Sequence, residues 1–314
     1  MGRVSIGGQA VLEGIMMKND DKYAIAVRKP DQEIEIKIES YTPMSKKCAF
    51  FRLPIVRGVF NFVESLVIGM KTLMYSADFI EEDEEPEKKG KKADKPKEKT
   101  EEQKKKEDNL FYVGTVAISL VFAIGLFMLL PAFLASLLDG VIKNHFLLGL
   151  VEGVIRLIIF LIYVFLITMM DEIKRTFMYH GAEHKCINCL ESGKELTVDN
   201  VMSSTRFHKR CGTSFLFIVM IVSILVFMCI RTDNILLRLG YRLLLVPVVA
   251  GISYEFIKFA GNHDNWVANV FSKPGLWVQK LTTKEPTPDM VEVAIKAVEG
   301  VLDWREYLKE QENS

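Results

Sequence analysis

Residues 178–189 read M-Y-H-G-A-E-H-K-C-I-N-C, and F-H-K-R-C-G-T-S follows at 207–214. His180, His184, His208 and Cys211 are all metal-ligand types, with Cys186 and Cys189 close by. Spacing of four puts His180 and His184 on one helix face if a helix runs through this stretch. Zinc, a borderline ion, takes such nitrogen and sulfur ligands. His180-x-x-Glu183-His184 also matches the inverted zinc-peptidase motif, in which both histidines bind the metal and the glutamate is the general base. Glu183 would then polarise a metal-bound water. A further carboxylate ligand is needed from a distant helix, and Glu255 is the candidate. With only five histidines in the chain, a chance match is on the order of 1% by composition.

Two blander readings stand beside this one. A closed site of His180, His184, His208 and Cys211 would be structural, because four protein ligands leave no open position. Alternatively, the histidines simply hydrogen-bond inside a folded segment. Cys186-x-x-Cys189 reads as a redox pair, a zinc half-site or two ordinary small residues, the last favoured.

The surrounding elements are predominantly apolar. Residues 110–138 and 212–230 carry no charge, and a helix needs about 20 residues to cross the ~30 Å hydrocarbon layer. Four spans are expected, at about 110–138, 145–170, 212–230 and 239–259, the last the weakest because its uncharged centre is short. Mean hydropathy is only +0.17 because residues 81–108 hold 22 of the chain's 80 acidic and basic residues. The net charge of zero excludes a nucleic-acid binder. The expected fold class is a polytopic α-helical membrane protein of about four spans with a small α+β cytosolic part.

The division expected is a β-containing segment at 1–50, an amphipathic helix at 51–80, a disordered charged linker at 81–109 and two spans at 110–170. A cytosolic His/Cys-bearing loop at 171–211, two more spans at 212–259 and a cytosolic tail with a helix at 260–314 complete it. With the N-terminus inside, the inner flanks hold 12 Lys/Arg and the outer loops four, namely Lys143, Arg231, Arg238 and Arg242. The expected location is thus the cell membrane, multi-pass, with both termini cytosolic, where thiols stay reduced. No apolar signal-peptide core is readable in the first 20 residues, so the spans are expected to target the chain.

Period-two alternation at 23–27 and 33–39, around Lys29-Pro30-Asp31-Gln32, predicts a hairpin. Residues 54–79 show a helical period with a wide apolar face that either lies in the membrane interface or packs on the bundle. Thr287-Pro288-Asp289 opens a helix with Val291, Ala294, Val298 and Val301 on one edge. Glu152 and Arg156, one turn apart in the second span, read as a structural pair or as part of an ion path. The triplet Gly7-Gly8-Gln9 is shared with peptide-release factors, but three residues carry almost no information.

The combination of G-G-Q-A-V-L-E-G-I-M-M (7–17), R-G-V-F-N-F-V-E-S-L-V-I-G-M-K (57–71), H-G-A-E-H-K (180–185), H-K-R-C-G-T-S-F (208–215), P-G-L-W-V-Q-K-L-T-T-K-E-P (274–286) and M-V-E-V-A-I (290–295) resembles the YqhQ-like family of bacterial membrane proteins. The resemblance covers nearly the whole chain. It implies a membrane location and a metal, since proteins similar to this family carry the label of predicted metal-dependent enzymes. Lys209 departs from the family's H-P-R-C-G-T-S-F pattern, and the Cys186/Cys189 pair is not part of it. Two functions therefore compete. One is a metal-dependent hydrolase with its site at the cytosolic face, acting on a peptide or a lipid-linked molecule. The other is a non-catalytic scaffold or assembly factor with a structural metal or none. A transporter would rest on Glu152 and Arg156 alone. Expected partners are the lipid bilayer and other membrane or cytosolic proteins, with no nucleic acid.

Overall fold

The structure, a computed structural model, describes residues 4–88, 101–230, 232, 234–263 and 265–312. It is mostly helical, with one four-stranded antiparallel sheet. The chain divides into two units, one of Met1–Asp83, Val164–Val222 and Leu245–Ser314, the other of Glu84–Tyr163 and Ser223–Leu244.

The first unit is built on β1 (Ile6–Val11), β2 (Gly14–Asn19), β3 (Lys22–Arg28) and β4 (Ile34–Ser40), hydrogen-bonded in chain order. The expected hairpin is β3–β4, in the register Arg28↔Ile34 to Lys22↔Ser40. The glycine-rich start is itself a hairpin, β1–β2, turning at Glu13, which has a φ of 49°. Successive residues face opposite sides of a strand, and here both sides are covered. Ile15, Met17, Ala24 and Ala26 join one core, and Met16, Tyr23, Ile25 and Val27 join another.

After α1 (Met44–Lys47), α2 (Val56–Lys88) covers the second face with Ile68. The apolar stripe read from the sequence is not the one it buries. Thr72 and Ser76 are buried toward the sheet, where the Ser76 hydroxyl accepts from the Leu12 amide at 3.1 Å, while Val63, Leu66, Val67, Leu73 and Met74 are exposed. The charged stretch at 81–109 is helical at its ends, since α2 reaches Lys88 and α3 spans Glu101–Ile124. Its centre, 89–100, lies outside the described residues.

A π-helical turn, Gly125–Leu129, joins α3 to α4 (Leu130–Ser136), and α5 follows at His145–Ile167. Residues 171–211, expected to connect the second and third spans, form α6 (Asp171–Glu191) and α7 (Val198–Ser203) before a short connection. Then come α8 (Gly212–Phe227), α9 (Ile235–Asn262), α10 (Trp266–Thr282), α11 (Pro288–Glu299) and α12 (Trp304–Glu312). α6 and α11 cover the first face of the sheet. Val291, Ala294 and Val298 are fully buried there, with Thr287 at the N-cap of α11 and Pro288 in its first turn. Cys186 and Cys189 are buried free thiols filling this core, the ordinary reading of the pair.

Among the described residues, three helices are long and apolar enough to cross a membrane: Val113–Ser136, His145–Ile167 and Leu236–Asn262. The third expected span is a helix of only 16 residues, about 24 Å at 1.5 Å per residue. The span read as weakest is a 27-residue apolar helix.

In the second unit, Glu152 on α5 is shared by two arginines, and all three side chains are buried. Arg156 donates to Glu152 at 2.9 Å and to the Phe127 carbonyl at 2.8 Å, while Arg242 donates to Glu152 at 2.5 and 2.7 Å. Arg242, counted from sequence with the outer loops, lies inside α9. Both guanidinium groups also approach the Phe227 ring, at 5.3 and 5.6 Å.

Candidate metal centre

α5 ends at Ile167 and α6 begins afresh at Asp171. His180 and His184 share a face of this second helix, and their ring centroids lie 4.4 Å apart. Cys211 comes from a different element. It caps the N-terminus of α8, where the Thr213 amide donates to its Sγ at 3.4 Å. One ligand atom each from His180, His184 and Cys211 lies within 4.8 Å of the other two, and this group could hold a metal ion.

Backbone carbonyls set the orientation of both imidazoles. His180 Nδ1–H donates to the Thr282 carbonyl at 2.9 Å, and His184 Nδ1–H donates to the Arg206 carbonyl at 2.6 Å. A carbonyl only accepts, so Nδ1 carries a proton in both rings and Nε2 is the atom turned toward the cluster. His180 Nε2 lies 3.3 Å from Cys211 Sγ. This arrangement, one ring nitrogen toward the site and the other donating outward, is how metal-binding histidines are held.

The carbonyls are themselves fixed by residues that sequence reasoning passed over. Lys185 is buried and donates to the carbonyls of Met202 and Ser204, both at 2.8 Å. Asn188 donates to those of Thr205 and Phe207, so 202–207 is strapped along α6 with Arg206 over His184. On the other side the Lys284 amide donates to the Phe177 carbonyl at 2.9 Å. A Cβ on Gly181 would stand 2.0 Å from the Lys284 carbonyl oxygen. Glycine inside H-G-A-E-H is therefore what lets the segment after α10 cross close enough for Thr282 to reach His180. Gly181→Ala is expected to lower stability by about 1–3 kcal/mol through overpacking. If the group holds a metal, the substitution should also weaken its binding by roughly 10–100-fold, as loss of an outer-shell partner does. Thermal unfolding and a chelator titration check this, and unchanged values in both would contradict it.

Electrostatics couple Cys211 to the histidines. Burial alone would push the Cys211 thiol up, but His180 and His184 hold it well below its ordinary value. The positive end of α8 acts in the same direction. Burial opposes a charge on His180 as well, yet the Cys211 thiolate, Glu183 and the Thr282 carbonyl outweigh it and lift the imidazole to about 9.

The remaining expected residues fall around this group and not within it. A Glu183 carboxylate oxygen lies 3.9 Å from His180 Nε2, with its side chain buried against Gly8 of β1, where a Cβ would meet Glu183 Cγ at 2.8 Å. Gln9 rests likewise on Gly69 of α2. The start of the G-G-Q stretch is thus the wall behind the glutamate. The His208 ring is 5.7 Å from that of His184, and its Nε2 faces Glu191 at 3.5 Å. Gln279 accepts from the His208 amide at 2.9 Å and donates to its carbonyl at 2.7 Å, so this residue acts as backbone support for the loop. Glu255 has a different partner altogether. Its carboxylate is gripped by the Arg57 guanidinium, with the Ile55 amide donating at 3.3 Å, and it lines a separate hollow of about 340 Å³ with Ile252 and Phe256. Expected as the third ligand, it lies outside the group, and Cys211 stands there instead.

No solved structure matches this chain. It is similar to "Uncharacterized protein YqhQ" of Bacillus subtilis (strain 168), 35% identical over 301 residues, covering 94% of this chain and 92% of that protein. The family model described as "Protein of unknown function (DUF1385)" matches residues 53–304. With the family's match spanning both the α6 histidines and Cys211, the chain belongs to this YqhQ-like family.

Proposed function

We propose that the chain is a multi-pass membrane protein whose His180–His184–Cys211 group binds a divalent metal, zinc by its donor set, and hydrolyses a peptide or a lipid-linked molecule. The observation that carries this is a set of three ligand atoms whose two imidazoles are pre-oriented through Nδ1. Catalytic zinc sites keep three protein ligands and one open position, whereas structural sites close with four. A bound metal would supply Lewis acidity and lower the pKa of a water molecule. Glu183, beside His180 but outside the ligand set, would accept that water's proton. His180 and His184 hold their ligand nitrogens fixed through Thr282 and Arg206, and the β1 wall holds Glu183.

A second reading, a scaffold with a structural metal, is favoured by burial, since His184 is 1% and Cys211 4% exposed. Cobalt substitution separates the two. An open site binds acetohydroxamate, and the ligand-field spectrum of the cobalt protein then changes. A spectrum unmoved by saturating hydroxamate would overturn the hydrolase and leave the scaffold.

The proposed topology is N-in and C-in, with α8 and the turn that follows it to Ile230 making the third of four crossings. Assigning Arg242 to a helix leaves the outer loops with even fewer basic residues, which supports this orientation. Cys48 and Cys229 are exposed free thiols and are predicted on opposite sides. A membrane-impermeant maleimide should label Cys229 on intact cells and Cys48 only in inverted vesicles. Labelling of both from one side would contradict the topology.

A further inference from the structure

Helix α10 has two unlike faces. Ala268, Ser272, Gly275, Val278, Gln279 and Thr282 are buried. On the other side Trp266, Val270 and Trp277 fall within about 40° of arc at 100° per residue. Trp266 is 77% and Trp277 65% exposed. Exposed Lys273 and Lys280 border the same arc. The third tryptophan, Trp304, is buried with its indole N–H donating to Glu299.

Leaving such side chains in water forgoes the gain of burying a large apolar surface. Two indoles in line, edged by lysines whose stems lie along apolar surface while their heads reach outward, match the membrane–water boundary. Placement agrees as well, because α10 starts at Trp266, just after the long apolar helix that ends at Asn262. A helix leaving the end of a crossing enters the headgroup layer first.

We infer that α10 is an interfacial helix that docks on the bilayer through Trp266, Val270 and Trp277, with Lys273 and Lys280 toward the lipid phosphates. Its opposite face carries the Thr282 carbonyl bound by His180 and the Gln279 amide that holds the His208 backbone. Docking therefore fixes the depth of the metal centre at the membrane surface. On the hydrolase reading, on which this last step rests, the substrate is an amphiphile held at that same depth.

The test is tryptophan fluorescence of the full chain in nanodiscs containing brominated phosphatidylcholine. In a Trp304→Phe background, bromines high on the acyl chain should remove most of the emission, severalfold more than bromines at the chain end. In Trp266→Phe/Trp277→Phe protein, where Trp304 is the sole reporter, that quenching should disappear, which keeps the test usable if Trp304→Phe folds poorly. Quenching by aqueous iodide in place of lipid bromine would put the face in water and overturn the proposal. Protection from both quenchers, which a covering protein would give, overturns it too, as does stronger quenching from the chain end. His184→Ala protein should give the same lipid quenching, so failure of the hydrolase reading and failure of lipid docking are distinguishable.

Discussion

His184→Ala and Cys211→Ser are expected to empty the site, lowering zinc affinity by well over the roughly 10–100-fold that outer-shell changes cause, while Glu183→Gln retains the metal. His184 and Cys211 each offer one of the three candidate ligand atoms, and among the described residues no further histidine or thiol joins the group to replace either. Glu183 is a neighbour of His180 outside the three-atom group, so neutralising it should leave the coordination intact and, on the proposed hydrolase reading, remove only the base, a contribution of typically 10²–10⁴-fold to turnover. Mass-spectrometric metal content of the purified variants checks the first part. Zinc retained by both ligand variants, or lost from Glu183→Gln, would contradict the assignment. The same coupling sets a pH dependence. Cys211 is held well below its ordinary range, whereas His180 is raised to about 9, and the proton on its Nε2 must leave before a metal can bind there. Affinity should accordingly rise with pH and level off above about 9.

Glu152→Ala is expected to cost about 3–5 kcal/mol, the range found when a buried ion pair loses one partner. Glu152, Arg156 and Arg242 are 3%, 4% and 5% exposed, so the alanine would leave two guanidinium groups facing each other in an apolar bundle. Arg242→Met should be milder, because it leaves a matched pair and removes an Nε that is buried without a hydrogen-bond partner. Replacing all three residues with leucine or methionine should recover most of the loss, since a well-packed apolar core often equals a buried ion cluster. Retention of the monodisperse species after heating in detergent measures each variant. Wild-type behaviour of Glu152→Ala would show that the cluster is not structural.

The chemistry of the centre was half legible in the sequence. Spacing alone placed His180 and His184 together, because helical periodicity is a local rule. Cys211 carried a signal in its composition, but choosing between it and Glu255 depended on a contact 198 residues long. Arg57 takes Glu255 from across the chain, and periodicity contains nothing of that. The same blindness affected α9. Arg242 and Glu255 break its apolar run in sequence, yet in the fold each is neutralised by a partner, so the helix extends through both. At α8 the apolar run and the helix differ in the other direction. The uncharged run reaches Ile230, but the helix ends at Phe227. Gly7 and Gly8 hid β1, because glycine lowers strand propensity; at Gly8 the close approach of Glu183 and of β2 explains why the side chain must be small, whereas a Cβ on Gly7 would meet nothing within 4 Å.

The central claim is a three-ligand metal centre with one open position, and X-ray absorption of the zinc-loaded protein tests it most directly. One sulfur at about 2.3 Å and two histidine nitrogens at about 2.0–2.1 Å are expected, with one further light atom that hydroxamate displaces. Two sulfurs, three or more imidazoles, or a shell without sulfur would contradict it.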